Sequence, residues 1–340
     1  MTPTRRDFAA LSLSAPLAWA VGGRARAAAR QGLVIATGAG AADLPEGTAG
    51  ALELAIHDGA DVLAADFVPS RDGALVALQD HELSALTDVA RRPEFASRKQ
   101  THTIEGEDRS GWFAEDFTLA ELKTLVRGGP ARPRRGGKTA ANVILSFEEV
   151  VAIARAGSVR TARVIGVDAG LSHSAYFAGL DLAVEPLLAS AIRVAGYDSP
   201  AAAMFISSPD PASLKTIGES TGARRVFQLP ADASVASDAT TMGGLKAIHD
   251  YAQVVAAPPG LLLDLTAPRI LPPTSLTADA HAAGLAVHAW TLGAAFPPPP
   301  LSAADARRLL VALFAVGADA VAGDLAGLIA RARDEARSRK

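Results

Sequence analysis

The segment from Leu33 to Val68 decides the fold: Leu33-Val34-Ile35-Ala36-Thr37-Gly38-Ala39-Gly40, a helical stretch at Thr48–Asp58, then Asp61-Val62-Leu63-Ala64-Ala65-Asp66-Phe67-Val68. Leu33–Ala36 is a short apolar run closed by small residues, which reads as a strand and its turn. In the stretch that follows, Ala51, Leu54 and Ala55 share one helical face. Asp61–Val68 is a second strand. Working outward, the alternation recurs, with strands expected at Ala74–Leu78, Val164–Val167, Met204–Ile206, Val226–Leu229, Ala286–Trp290 and Ala318–Ala322. Helical spacing lies between most of them, at Glu185–Ala195, Ala212–Ser220, Thr277–Ala283 and Ala303–Val316. Short buried strands alternating with amphipathic helices predict a parallel α/β sheet. Eight such units over roughly 300 residues predict a closed TIM-type (β/α)8 barrel. Val254-Val255 and Leu261-Leu262-Leu263 are further strand-like pieces that leave the choice of staves open. Residues 80–145 are too long for an ordinary βα loop and are expected to form an insertion after the third strand, at the C-terminal mouth. Pro297–Pro300 reads as a rigid loop.

Composition narrows the function. The 340 residues are 49% apolar and 20% charged, enough to bury a large core. Aromatic residues are only 5% and the net charge is −3, with no basic stripe standing out, which argues against nucleic acid as the partner. Cysteine is absent, which removes disulfides, thiol nucleophiles and thiolate metal sites.

The first 30 residues stand apart. Arg5-Arg6 precede an apolar stretch from Phe8 to Val21, and Ala25-Arg26-Ala27 follows. This pattern reads as a twin-arginine export signal, with an uncleaved anchor as the alternative. The apolar run is shorter than the roughly 20 residues that span a bilayer. Residues 1–30 carry five arginines and one aspartate, so the remaining 310 hold 28 basic and 35 acidic side chains. The expected mature chain, residues 31–340, is a soluble barrel in the periplasm or beyond, with no transmembrane segment.

Several motifs carry a resemblance. Phe95-Ala96-Ser97-Arg98-Lys99 leads into Thr103-Ile104-Glu105-Gly106-Glu107, Gly111-Trp112-Phe113 and Asp116-Phe117-Thr118-Leu119-Ala120-Glu121-Leu122. Leu44-Pro45-Glu46, Arg71-Asp72-Gly73, Glu185-Pro186-Leu187-Leu188, Ala280-His281-Ala282-Ala283-Gly284 and Val287-His288-Ala289-Trp290-Thr291 add to it. From about Val34 to Asp324 the chain resembles the glycerophosphodiester phosphodiesterase family, in its exported form with an inserted segment. The resemblance implies a barrel and a phosphoric diester hydrolase that releases glycerol phosphate and an alcohol. It also implies four strand-end motifs: His-Arg, Glu-x-Asp, His-Asp and Glu-x-Lys. In such a site the histidines relay protons, three carboxylates hold calcium or magnesium, and Arg and Lys grip the phosphate.

This chain departs from that pattern. Thr37 and Gly38 stand at the His-Arg position, Ala64-Ala65-Asp66 at Glu-x-Asp, Gln79-Asp80 at His-Asp, and Gly170-Leu171-Ser172 at Glu-x-Lys. Asp66 is the one metal ligand retained. A hard divalent cation takes about six oxygen ligands, which a lone Asp66 does not supply. Neither Gln79 nor Thr37 titrates near neutral pH. Asp168 lies two residues before Gly170, on the same strand face, and is the possible substitute carboxylate beside Asp66. Glu46, Asp80, His173, His288 and Trp290 are the other residues expected at the pocket, with Glu46 also a candidate to cap a helix start. His81, one residue past the family position, is expected to point to solvent or to the insertion.

Two classes of function remain. One is a catalytically inactive exported barrel that binds a ligand or partner at its mouth, with no cofactor. The expected partner is a small phosphodiester-like or polyol ligand, or another protein. The other is a glycerophosphodiester phosphodiesterase, active or weak, with a rearranged site and a calcium or magnesium ion. A different lyase or hydrolase on the same barrel is a third, since one fold hosts many chemistries.

Overall fold

A computed structural model describes residues 32–37, 44–128, 142–232, 235–265, 271–290 and 302–339. The expected export signal, Gly38 and Pro297–Pro300 lie outside the described residues. The strands are β1 (Leu33–Ala36), β2 (Val62–Pro69), β3 (Leu75–Ala77), β4 (Gln100–Ile104), β5 (Glu107–Gly111), β6 (Gly166–Leu171), β7 (Met204–Ser208), β8 (Arg224–Gln228), β9 (Val254–Ala257), β10 (Ala286–Trp290) and β11 (Ala320–Gly323).

Eight of these strands close into a parallel ring in the order β1, β11, β10, β9, β8, β7, β6, β2, with β1 and β2 completing it. The fold is a (β/α)8 barrel with an insertion. Two staves differ from the sequence expectation. Leu75–Ala77 is antiparallel to the end of β2 and stands outside the ring. Val254–Ala257 is a full stave, paired in parallel with both β8 and β10. Leu261 and Leu262 belong to a short helix, Pro259–Leu262. The stave expected at Val164–Val167 runs from Gly166 to Leu171. The predicted helices are present as Ala49–His57, Val184–Val194, Pro211–Gly218, Leu276–Ala282 and Ala303–Ala315.

Burial follows the two faces of the staves. One apolar set (Ile35, Val62, Phe205, Val226, Val254, Ala256, Ala320 and Ala322) fills the barrel interior. A larger set, including Leu63, Phe67, Val167, Ile206, Val255 and Val321, packs the outward faces against the helices. Among the described residues no helix is long and apolar enough to cross a membrane.

The insertion is built from short pieces. The β4–β5 hairpin turns at Glu105 and Gly106, both at positive φ. Thr118 starts the one-turn helix Leu119–Leu122 with a reciprocal cap, in which its hydroxyl accepts from the Glu121 backbone while the Glu121 carboxylate accepts from the Thr118 backbone. Ser146 and Glu149 do the same for the helix Phe147–Thr161, which returns the chain to the barrel. Phe113 and Phe117 are fully buried and seat the insertion.

Candidate binding site at the barrel mouth

Register brings the surviving acids together. On β2, Ala64 and Asp66 are two residues apart and share the inner face; on β6, Asp168 and Gly170 do the same. Ala64 lies beside Asp168 and Asp66 beside Gly170. The two carboxylates are therefore diagonal neighbours on adjacent staves, with Asp168 deeper. The missing Gly170 side chain makes this arrangement possible: a Cβ built there would stand 1.9 Å from Asp66 Oδ1.

A cavity of about 780 Å³ opens here, lined by Thr37, Glu46, Ala64, Asp66, Gln79, Asp168, Gly170, Gln228, His288, Trp290 and Asp324 among others. Ala64, Gly170, Ala256 and Ala322 put small residues around its wall, which is why it is open. No Lys or Arg occurs among the described lining residues.

The electrostatics are those of crowded acids in a poorly solvated space. Asp66 is pushed up to about 7, first by burial, then by the charges of Asp168 and Glu46. Asp168, 7% exposed, is pushed up to about 6 by burial, against the opposing effect of the Ser207 hydroxyl and the Arg224 guanidinium. Its Oδ1 atom has no hydrogen-bond partner among the described residues. Arg224 lies over the Phe205 ring, 4.0 Å from its centroid, and donates to the Ala202 carbonyl at 3.2 Å. Burial pulls that guanidinium down to about 10. Burial also raises Glu46, helped by Asp324, while the buried Arg127 opposes it. Asp324 accepts from the Thr37 hydroxyl at 3.0 Å.

His288 lines the cavity and is 4% exposed. Burial drives its imidazole down to about 4, so it is neutral at physiological pH. It packs edge-on to Phe205, 5.2 Å between centroids. The Trp290 indole Nε1 is buried without a hydrogen-bond partner among the described residues.

The structure places Thr37, Glu46, Ala64, Asp66, Gln79, Asp168, Gly170, His288 and Trp290 on the cavity wall. Ser172, Asp80 and His173 are not part of the described lining. Asp80 instead pairs with Arg109 of the hairpin, at 2.9 Å. His173 bonds Glu105 at the hairpin turn through Nδ1, at 2.8 Å. Glu46 makes no cap: the helix Ala49–His57 has Thr48 at its N-cap position with no side-chain cap bond. His81 does not reach solvent. It is fully buried, with Nδ1 2.9 Å from Glu115 Oε1, and Tyr176 donates to that same oxygen at 2.6 Å. Residues 80–128 are thus tied to the barrel by the Glu105–His173 and Glu115–Tyr176 contacts.

Asp324 and Gln228 line the cavity, and Arg224 acts on Asp168 through its charge; the motifs did not single them out. Asp324 stands directly after β11, at the C-terminal stave end where barrels carry their functional side chains. Arg224 is a charge inside an otherwise closed barrel wall.

The divalent cation implied by the family motifs does not fit these residues. Ala64 and Gly170 supply no side-chain oxygen, and among the described residues no group of three or more His, Asp or Glu forms a candidate metal site.

Comparison with known proteins agrees with the architecture. The sequence profile of the glycerophosphoryl diester phosphodiesterase family matches residues 38–327. A glycerophosphodiester phosphodiesterase of Arabidopsis thaliana, GDPD6, is 30% identical over 272 residues, covering 73% of this chain and 71% of that protein. A second from the same plant, GDPDL1, is 29% identical, and there the match spans 75% of this chain but only 33% of the relative. Among solved structures, a putative glycerophosphoryl diester phosphodiesterase from Silicibacter pomeroyi superposes with a TM-score of 0.61 at 19% identity, covering 89% of this chain and 93% of that one. An Oleispira antarctica phosphodiesterase, solved with the product sn-glycerol-3-phosphate, gives 0.59 at 19% identity, covering 89% and 96%. By the extent of the profile match and the shared barrel, the chain belongs to the glycerophosphoryl diester phosphodiesterase family.

Proposed function

We propose that this chain is a non-catalytic member of the family, a barrel that holds a small ligand in its mouth cavity. The observation that carries the reading is the cavity wall itself. Thr37, Ala64, Gln79 and Gly170 stand where the resemblance puts proton relays and metal ligands, and no described lining residue is a cation. Phosphodiester cleavage needs charge neutralisation at the phosphoryl oxygens and a proton relay to nucleophile and leaving group. Four carboxylates repel a phosphodiester, and the one imidazole among the described lining residues, His288, is neutral and buried against Phe205.

One observation favours a second reading, a rearranged hydrolytic site. Asp66 and Asp168 are neighbouring acids raised toward neutrality, a pattern found in acid–base pairs. The lack of any cation among the described lining residues weighs against it for a phosphate ester. Calorimetric titration with calcium separates the two. The non-catalytic reading predicts no binding tighter than about 1 mM. Micromolar binding that Asp66→Asn abolishes overturns it.

The proposal extends to location. The Arg5-Arg6 pair and the apolar stretch after it support twin-arginine export, with residues 31–340 acting in the periplasm or outside the cell. N-terminal sequencing of the exported protein tests this, and a chain that retains Met1–Arg30 contradicts it.

A further inference from the structure

We infer that the mouth cavity takes a small organic cation, an amine carrying hydroxyl groups, in place of an anionic phosphodiester. The inference rests on the ligand-binding reading above and adds the chemical class of the ligand.

The charge pattern comes first. Glu46, Asp66, Asp168 and Asp324 all line the cavity, and no Lys or Arg does among the described residues. A ligand there meets acids from four chain segments: the loop before the first barrel helix, β2, β6 and the end of β11. Two cations oppose Glu46 and Asp168 from outside the described lining. Arg127 is buried and donates to the Ala77 carbonyl at 2.8 Å. Arg224 lies over Phe205 and donates to the Ala202 carbonyl. Neither is on the described lining.

Two polar atoms point independently to a bound molecule. Asp168 is more than nine-tenths buried and lines the cavity, yet its Oδ1 has no hydrogen-bond partner among the described residues. Buried acceptors of this kind are costly to leave unmet, so a donor is expected in the cavity. On β10 the Trp290 Nε1 is a buried donor in the same condition, and Trp290 lines the same space. Indole nitrogen only donates, so it requires an acceptor. A ligand that satisfies both brings an N–H or O–H to Asp168 and an oxygen to Trp290. An ammonium group answers the acids, and hydroxyl groups answer Trp290, Gln79 and Gln228. A charged N–H to carboxylate bond in a desolvated pocket is worth more than a neutral one. The Trp290 indole on the wall adds attraction for a cation.

The test uses a matched pair of probes, glucamine and sorbitol, which differ by one ammonium in place of one hydroxyl. Each is titrated calorimetrically into the full mature chain at pH 7.5, with glycerol 3-phosphate as a third titrant. The expected result is glucamine at least about tenfold tighter than sorbitol, with glycerol 3-phosphate weakest. Asp66→Asn is isosteric and relieves crowding among the acids, so it folds; it is expected to weaken glucamine about tenfold and to leave sorbitol unchanged. Trp290→Phe is expected to weaken both probes alike. Equal affinity for the two probes, no detectable glucamine binding at about 20 mM, or tighter binding of glycerol 3-phosphate overturns the inference. Failure of the non-catalytic reading has a different signature: release of glycerol phosphate from a glycerophosphodiester, read in a separate assay.

Discussion

Asp66 Oδ1 occupies the space in which a side chain at Gly170 would begin, 1.9 Å from the position of a Cβ there. The two residues face each other across the β2–β6 pair, so the carboxylate retained on one stave and the side chain lost from the other form one structural change. Gly170→Ala therefore forces the Asp66 carboxylate out of its position, at a cost of about 1–2 kcal/mol. The double variant Gly170→Ala/Asp66→Ala removes the conflict and is more stable than Gly170→Ala alone. Urea denaturation of the four proteins of the cycle measures the coupling, and strictly additive effects contradict the account.

Asp66 also sets a pH dependence. Folding raises its carboxyl from an ordinary 3.8 to about 7. The folded chain keeps a proton that the unfolded chain releases, so this residue costs stability as pH rises from about 4 to about 7, and the cost levels off above that. Asp66→Asn removes the cost. The variant should match the parent at pH 4 and exceed it by about 1–2 kcal/mol at pH 8, less than the full shift because the side chain is partly exposed. Equal stabilities at pH 8 contradict this.

Asp168 and Arg224 balance one another inside the wall, each shifted by burial and held partly in check by the other's charge. Removing one leaves the other buried without its counter-charge. Asp168→Asn and Arg224→Met are each expected to cost about 3 kcal/mol, and the double variant to cost clearly less than their sum. Thermal denaturation checks this, and a double variant at the full sum argues against the pairing.

The His81–Glu115–Tyr176 contact ties the insertion to the barrel. Tyr176→Phe removes the 2.6 Å hydrogen bond to Glu115 and is expected to cost about 1 kcal/mol. Glu115→Ala leaves buried His81 without its partner and should cost about 3 kcal/mol. Limited proteolysis should then cut first within residues 80–128, with the staves still protected. Uniform cleavage along the chain contradicts a local tie.

Much of the barrel was legible because each helix declares itself by period and each stave by a short apolar run. The exception is instructive. Leu75–Ala77 is as apolar as a stave, but only Ser70–Ala74 separate it from β2. A parallel crossover takes a dozen or more residues, so the turn at Arg71-Asp72-Gly73 already dictates an antiparallel partner. Val254–Ala257 was ambiguous because four residues buried on both faces show no alternation. In the site, Asp66 and Asp168 follow from strand parity. Of the two directions open to His81, burial excludes solvent and the contact with Glu115 takes it to the insertion, a partner 34 residues away that no local spacing identifies. Asp324 and Arg224 carry no motif, and only the closed ring brings them near Asp66 and Asp168.

The central claim is that this family member does not cleave glycerophosphodiesters. The most direct measurement is release of glycerol 3-phosphate from glycerophosphoethanolamine by the purified mature chain, with calcium or magnesium supplied and an active phosphodiesterase run beside it. The account predicts product at the level of the protein-free control. Turnover above that control, lost in Asp66→Ala, would contradict it.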